Sequence, residues 1–131
     1  SGRKKVTEGS KRIMKEEKMD EKETVQTVRE HMLPDMYVEE MTAFFKMFGD
    51  ENRVRILYAL SLNEMCVGDL VEVLGMSQSS VSHQLKLLRL YGQVKSRREG
   101  RKIYYSLDDQ HVVDIFEQSL KHIIHRHQDH A

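Results

Sequence analysis

The fold is decided by residues 67–107, which read VGDLVEVLGMSQSSVSHQLKLLRLYGQVKSRREGRKIYYSL. Their apolar spacing predicts a short helix over 67–74, a turn that contains glycine, and a longer helix over 78–90. Over 93–107 the apolar period changes to two and Glu99-Gly100 interrupts it, which predicts a β-hairpin with a tight turn. The predicted order is typical of a winged helix-turn-helix: a short helix, a turn, a longer helix with a polar face, and a basic hairpin.

Further helices flank this stretch on both sides. We expect them from about Glu23 to before Pro34, across residues 36–48, from Glu51 to about Ser61 behind the cap residue Asp50, and from Asp108 or Asp109 to about His127. The methionines and phenylalanines of residues 36–48 predict a core or dimer-interface face, and the last helix carries more apolar residues than a small core can cover. The predicted fold class is mainly α with a β-hairpin wing, a winged helix-turn-helix homodimer.

The 131 residues amount to one domain's worth of chain with zero formal net charge. Residues 1–23 are charged and almost without apolar side chains, so we expect a mobile arm there, and residues 24–131 then form the domain that binds DNA and dimerises. Cys66 is the single cysteine, which excludes an intrachain disulfide and fits a cytoplasmic location. We expect no membrane partner, because no apolar run approaches the roughly 18 residues of a span and no signal peptide is visible.

Basic residues are concentrated in the central stretch. Residues 77–102 carry seven basic side chains and one acidic side chain, a net charge of +6 in a chain that is neutral as a whole. We expect the polar face of the longer helix to enter the major groove of double-stranded DNA and the hairpin to lie on the adjacent backbone or minor groove. The predicted contacts are Gln78, Ser79, Ser82, His83 and Lys86 on the helix and Arg97, Arg98, Arg101 and Lys102 on the hairpin.

Metal-ligand side chains recur in the last helix as D-x-H, ten residues, then H-x-x-H, namely Asp109, His111, His122 and His125. Carboxylate and imidazole suit a borderline divalent ion such as zinc. His111 and His122 share a helix face but lie roughly 16 Å apart along the axis, whereas zinc–nitrogen bonds are only about 2 Å long. One helix therefore offers two half-sites, and antiparallel packing of two copies predicts two intersubunit metal sites.

Four segments carry a family resemblance. They are Asp50-Glu51-Asn52-Arg53, Glu64-Met65-Cys66-Val67-Gly68-Asp69-Leu70, Ser79-Ser80-Val81-Ser82-His83-Gln84-Leu85 and Gly100-Arg101-Lys102-Ile103-Tyr104-Tyr105. Over about residues 36–126 the chain resembles the ArsR/SmtB family of bacterial metal-sensing repressors. The resemblance implies a winged-helix homodimer that binds an operator without metal and releases it with metal. The set in the last helix resembles the family's zinc-sensing site, and Asp109 is taken as the ligand over Asp108 because it matches the family's D-x-H pattern.

Several alternatives stay open. His127 and His130 either belong to a frayed, solvated tail, which we favour, or supply extra ligands that shift the effector from Zn(II) to Ni(II) or Co(II). Cys66 and Asp69 are candidates for a second site, although we expect Cys66 to be a small buried residue; oxidation at Cys66 would make the chain a thiol-redox regulator instead. We expect neither an enzyme nor a small organic substrate, because the sequence has no oxyanion loop, phosphate cradle or acid/base pair.

Overall fold

The computed structural model describes residues 20–129, which form six helices and three strands. The helices are α1 (Glu21–Glu30), α2 (Asp35–Met47), α3 (Glu51–Leu62), α4 (Val67–Leu74), α5 (Gln78–Leu90) and α6 (Gln110–Asp129), and the strands are β1 (Met65–Cys66), β2 (Val94–Glu99) and β3 (Lys102–Leu107). The winged helix-turn-helix predicted from residues 67–107 is confirmed, with α4 and α5 as its helices and β2–β3 as its wing.

The chain divides into two compact units, one up to Thr42 and one from Ala43 onward. In the first unit α1 begins two residues before the predicted Glu23, because Asp20 caps it and accepts a hydrogen bond of 2.8 Å from the backbone N–H of Glu23. The remainder of the predicted arm, residues 1–19, lies outside the described residues. Pro34 separates α1 from α2, as the sequence predicts.

The core of the second unit is built from the helix faces that the apolar spacing predicts. Six of its side chains have no exposed surface: Ile56, Leu57, Leu70, Val81, Leu85 and Leu88. Burying one aliphatic side chain of this size stabilises a fold by about 1.5–3 kcal/mol, so these residues fix how α3, α4 and α5 pack. The turn between α4 and α5 is equally well specified, because Gly75 ends α4 with φ +66° and the Ser77 hydroxyl accepts from the Ser80 amide at 3.1 Å.

The sheet has one strand more than the predicted hairpin. β2 and β3 pair antiparallel, with Val94 opposite Leu107. β1 pairs with the other edge of β3, where Cys66 lies opposite Tyr104, so the strand order is β1-β3-β2. β1 has only two residues, too few to show the alternating pattern by which a strand is predicted. Through this pairing, the two residues that directly precede α4 form hydrogen bonds with the wing.

The C-terminal end of α2 is completed by two side chains from other parts of the second unit, Arg53 of α3 and Gln93 after α5. A helix leaves its last four carbonyls without partners inside the helix, here those of residues 44–47. Backbone amides that follow the helix pair with the middle two at 3.0 and 3.1 Å. Arg53 Nε donates to the carbonyl of Met47 at 2.8 Å, and Gln93 Nε2 donates to the carbonyl of Phe44 at 2.7 Å. All four carbonyls are thus paired, and the bond from Gln93 joins α2 to a segment 49 residues further along the chain.

None of the helices within residues 20–129 is both long and apolar enough to cross a membrane.

Candidate DNA interface and metal centre

The second helix of the helix-turn-helix, α5, separates a buried face from an exposed polar face. Val81, Leu85 and Leu88 hold it against the core with no exposed surface. All five predicted contact residues on the helix are exposed: Gln78, Ser79, Ser82, His83 and Lys86. The Ser79 hydroxyl lies 3.3 Å from that of the cap residue Ser77. The helix therefore presents short polar side chains at its N-terminal end, which suits approach to base edges in a groove.

The tip of the wing carries unpaired positive charge. β2 and β3 meet at Glu99 opposite Lys102, and Gly100 occupies the turn with φ +63°, a conformation that favours glycine. Arg98, Arg101 and Lys102 are exposed, and none of them forms a side-chain hydrogen bond or ion pair within the described part of the chain. These cations are available to a polyanionic partner.

Arg97 differs from the other three wing cations because its guanidinium is already engaged. Its Nε lies 3.0 and 2.9 Å from the two carboxylate oxygens of Glu64, its Nη1 lies 2.9 Å from Glu99 Oε2, and its guanidinium sits 4.9 Å from the centre of the Tyr104 ring. The hydrogen bond from Arg97 lowers the pKa of the Glu64 carboxyl, and the bond to Glu64 raises the pKa of Arg97. Arg97 fastens the wing to the residue before β1, which makes it the weakest of the four candidates for a phosphate contact.

The N-terminal end of α6 holds the first half of the predicted metal set. Asp109 Oδ1 accepts a hydrogen bond of 3.1 Å from the Val112 amide, so the residue chosen as a ligand is also the residue that caps the helix. This bond, followed by the interactions with His111, lowers the pKa of the Asp109 carboxyl. His111 Nδ1 lies 3.5 Å from Asp109 Oδ1. Two donors on one tetrahedral zinc ion are roughly 3.4 Å apart, so this spacing is compatible with a shared ion.

The second half of the set lies further along α6. His122 and His125 are exposed, and His125 Nε2 lies 3.6 Å from Asp129 Oδ1, a carboxylate that can orient the ring. α6 is continuous from Gln110 to Asp129, so the rise of roughly 16 Å between His111 and His122 applies. Within residues 20–129 of one chain, no three His, Cys, Asp or Glu side chains converge on a point that suits a metal ion. Each predicted half-site therefore has too few ligands for a metal centre within one chain.

His127 lies in the last turn of α6, close to the predicted end of this helix. The helix continues two residues beyond it, although the side chain is exposed as predicted. At about 100° per residue, His127 is about 140° round the helix from His122 and about 160° from His125. It is badly placed to join their half-site. His130 lies outside the described residues.

Cys66 is buried, as predicted, with 9% of its surface exposed. Its backbone N–H donates a long hydrogen bond of 3.4 Å to Asp69 Oδ2, so the Asp69 carboxylate helps to cap the N-terminus of α4. Both residues of the candidate second site thus have structural roles where α4 begins.

An apolar groove of about 360 Å³ lies between α6, α3 and the end of α2. It is lined by Phe45, Phe48, Val54, Ile115, Phe116, Ser119, Leu120 and Ile123. Phe45 and Ile123 are nearly half exposed, at 49% and 47%. This exposed apolar surface is a candidate for an interaction site, and it includes residues that the sequence assigns to a core or dimer-interface face.

Comparisons with known proteins agree on one family. Residues 50–96 match the family model described as "Bacterial regulatory protein, arsR family". A transcriptional repressor SmtB homolog from Synechocystis sp. is 39% identical over 101 residues, which cover 77% of this chain and 76% of that protein. The transcriptional regulator NmtR from Mycobacterium tuberculosis is 45% identical over 88 residues, covering 67% of this chain and 73% of NmtR. These relatives are transcriptional regulators and not enzymes.

Solved structures extend the similarity to the fold. The solution structure of apo-NmtR matches with a TM-score of 0.64 and 36% identity, covering 72% of this chain and 79% of that one. A homodimeric winged helix-turn-helix DNA-binding domain from Mycobacterium bovis matches with a TM-score of 0.67 and 25% identity, covering 74% and 89%.

Proposed function

The chain belongs to the ArsR family of bacterial regulatory proteins, and on that basis we propose that it is a metal-responsive transcriptional repressor. As a homodimer without metal it binds operator DNA, and Zn(II) held between the two protomers causes release. The observation that carries the proposal is that an exposed basic winged helix-turn-helix and two exposed groups of candidate metal ligands occur in the same unit, with both groups on one continuous helix.

DNA binding is supported by the exposed surface of α5 and the wing. Gln78 carries an amide that can pair with adenine, and Lys86 is placed for a phosphate. Arg98, Arg101 and Lys102 have no acidic partner among residues 20–129, so their charge is free to displace counterions from DNA. We refer to α5 from here on as the recognition helix.

Dimerisation is supported by the apolar groove beside α6. A groove of about 360 Å³ with half-exposed phenylalanine and isoleucine side chains is costly to leave in water. A second copy of the chain would cover it and bring a second α6 alongside the first. A related structure supports this arrangement, since the winged helix-turn-helix domain from M. bovis is homodimeric.

Zinc binding is supported by the donors and by their spacing. Asp109 and His111 of one protomer with His122 and His125 of the second would give four ligands, the number that zinc prefers. The hydrogen bond from the Val112 amide lowers the pKa of the Asp109 carboxyl, which favours its ionised form, and its remaining lone pairs are free for a metal ion. When bound, the ion would supply a crosslink between the α6 helices of the two protomers.

The alternatives have less support. Nickel and cobalt accept more ligands than zinc, but His127 faces away from His122 and His125 and so adds nothing to their half-site. A thiol-redox response requires an accessible thiolate, and Cys66 is buried. Zinc therefore remains the preferred effector.

The proposed release of the operator by metal depends on the distance between the two recognition helices. A dimer contacts two half-sites of an operator only if its recognition helices are one helical turn of DNA apart, about 34–36 Å. The four ligand side chains favour the angle between the two α6 helices at which they can meet. If that angle separates the recognition helices wrongly, metal binding and DNA binding oppose one another by the same factor.

The proposal can be tested with a fluorescent duplex selected from random DNA by the metal-free protein. Anisotropy should fall as Zn(II) is added to the complex, and Ni(II) and Co(II) should be less effective. The double variant His122→Gln/His125→Gln should bind the duplex as well as wild type and keep it when zinc is added. Wild-type protein that retains the duplex at saturating zinc, nickel and cobalt would contradict the proposal.

A further inference from the structure

Gln93 is the one buried polar side chain within residues 20–129, with no exposed surface. It occupies the bend between α5 and β2, directly after Gly92, whose φ is +71°. Burying an amide is unfavourable unless its hydrogen bonds are replaced, and an apolar side chain would fill the same place without that cost. The amide must therefore be explained by what it binds.

The hydrogen bonds of Gln93 connect three parts of the fold. Its side-chain Nε2 donates to the carbonyl of Phe44 at the end of α2, at 2.7 Å. Its backbone N–H donates to the carbonyl of Leu88 in the recognition helix, at 2.8 Å. Its backbone carbonyl accepts from the amide of Asp108 at 3.0 Å, and Asp108 is the residue before the proposed ligand Asp109. All three distances are those of good hydrogen bonds.

The side-chain bond anchors a bend that would otherwise be flexible. Glycine at position 92 allows the backbone to change direction at low cost, so a displacement at Asp108 could be absorbed there. Gln93 Oε1 has no hydrogen-bond partner among the described residues, so the amide is held by its Nε2 alone. Arg53 offers a comparison, because it also caps α2 and contacts Gln84 of the recognition helix but makes no bond to the α6 end.

We propose that Gln93 is the positioning residue that transmits a displacement of the Asp108–Asp109 segment to the recognition helix. This inference rests on the proposed function. The anchor on Phe44 fixes one side of the bend to α2, so a shift at Asp108 turns the end of the recognition helix rather than relaxing at Gly92. Without the anchor, metal and DNA would each bind but would no longer influence one another strongly.

The test compares Gln93→Met and Gln93→Leu with Arg53→Met as the matched control, which removes a different cap of the same helix. The readout is the ratio of operator affinities with and without saturating zinc, measured on the full-length dimer with the selected duplex. We expect this ratio to fall by about tenfold in both Gln93 variants and by less than about twofold in Arg53→Met. Methionine nearly matches glutamine in volume, so Gln93→Met keeps the experiment informative if leucine prevents folding.

A second readout needs no metal. In the metal-free protein, hydrogen exchange at the Asp108 amide should quicken in Gln93→Met more than exchange at core amides of α3 does, whereas a merely stabilising role would quicken both equally. If wild type responds to zinc and Gln93→Met responds equally, the inference is wrong while the proposed function stands. If wild type itself shows no zinc response, it is the proposed function that fails.

Discussion

Two variants that cannot bind zinc should regain zinc binding when they are mixed. The first variant carries Asp109→Asn and His111→Gln, which removes the half-site at the N-terminal end of α6 while asparagine keeps the helix cap. The second carries His122→Gln and His125→Gln, which removes the half-site further along the helix.

The zinc capacity expected of the mixture follows from the distance between the two half-sites. Roughly 16 Å lies between His111 and His122 along α6, so one straight helix cannot bring all four ligands to one ion. Neither variant homodimer contains a complete site, whereas each mixed dimer contains one complete site and one without ligands. Equal amounts that reassort at random form mixed dimers half of the time, so the zinc capacity should be about one quarter of wild type.

The assay is a competition titration against a fluorescent zinc chelator, made on each variant and on the mixture after partial unfolding and refolding together. Each variant alone should show no tight site. A mixture that binds no zinc tightly would refute the intersubunit geometry, and so would a single variant that binds zinc with wild-type affinity.

Three further predictions test the wing, the core and the cap. Arg98→Ala should reduce the slope of log operator affinity against log salt concentration by about 2 per dimer. Arg97→Ala should change this slope less, because Arg97 is paired with Glu64. Salt titrations followed by anisotropy that give the two variants equal slopes would contradict this prediction. Leu85→Ala should lower the free energy of unfolding by about 2–5 kcal/mol in urea denaturation, since Leu85 has no exposed surface, and a loss below about 1 kcal/mol would be incompatible with that packing. The pKa of Asp109 is lower in the folded state than in the unfolded state, so the stability that Asp109 contributes is complete above its unfolded-state pKa and is lost as the pH falls through its folded-state pKa. The Tm of wild type should therefore fall more steeply in acid than the Tm of Asp109→Asn. Parallel curves of Tm against pH would contradict this prediction.

The helices and the wing were predictable because their signals are local. Asp50 and Ser77 cap helices that begin where predicted, with bonds of 3.0 and 3.1 Å to the amides three residues on. The apolar positions Val81, Leu85 and Leu88 recur at helical spacing and are fully buried. In each case a few neighbouring residues determine the outcome.

The contacts that join distant segments were not predictable in this way. Arg97 and Glu64 are far apart in sequence, and nothing in either neighbourhood indicates that they pair. Gln93 reads as an ordinary polar residue at a turn, yet it is fully buried and caps α2. A glutamine between a helix-ending glycine and a strand that begins with a buried valine was the one available signal, and it does not specify Phe44 as the partner.

The candidate metal centre was predictable only in part. The spacing of Asp109, His111, His122 and His125 predicts two half-sites on one helix, and the continuous α6 is compatible with that geometry. The second role of Asp109 as the helix cap could not be separated from that of Asp108 by sequence alone. The last helix was predicted to end at about His127 and ends at Asp129, a difference within the usual uncertainty of helix ends.

The most direct test of coupling between the two sites is the zinc affinity of the dimer measured free and then saturated with the selected operator duplex. Linkage requires that DNA weaken zinc binding by the same factor by which zinc weakens DNA binding, typically about 5–150-fold. We predict a loss within that range, equal to the factor obtained from operator titrations. Equal zinc affinity in the free and DNA-bound dimer would contradict a metal-responsive repressor.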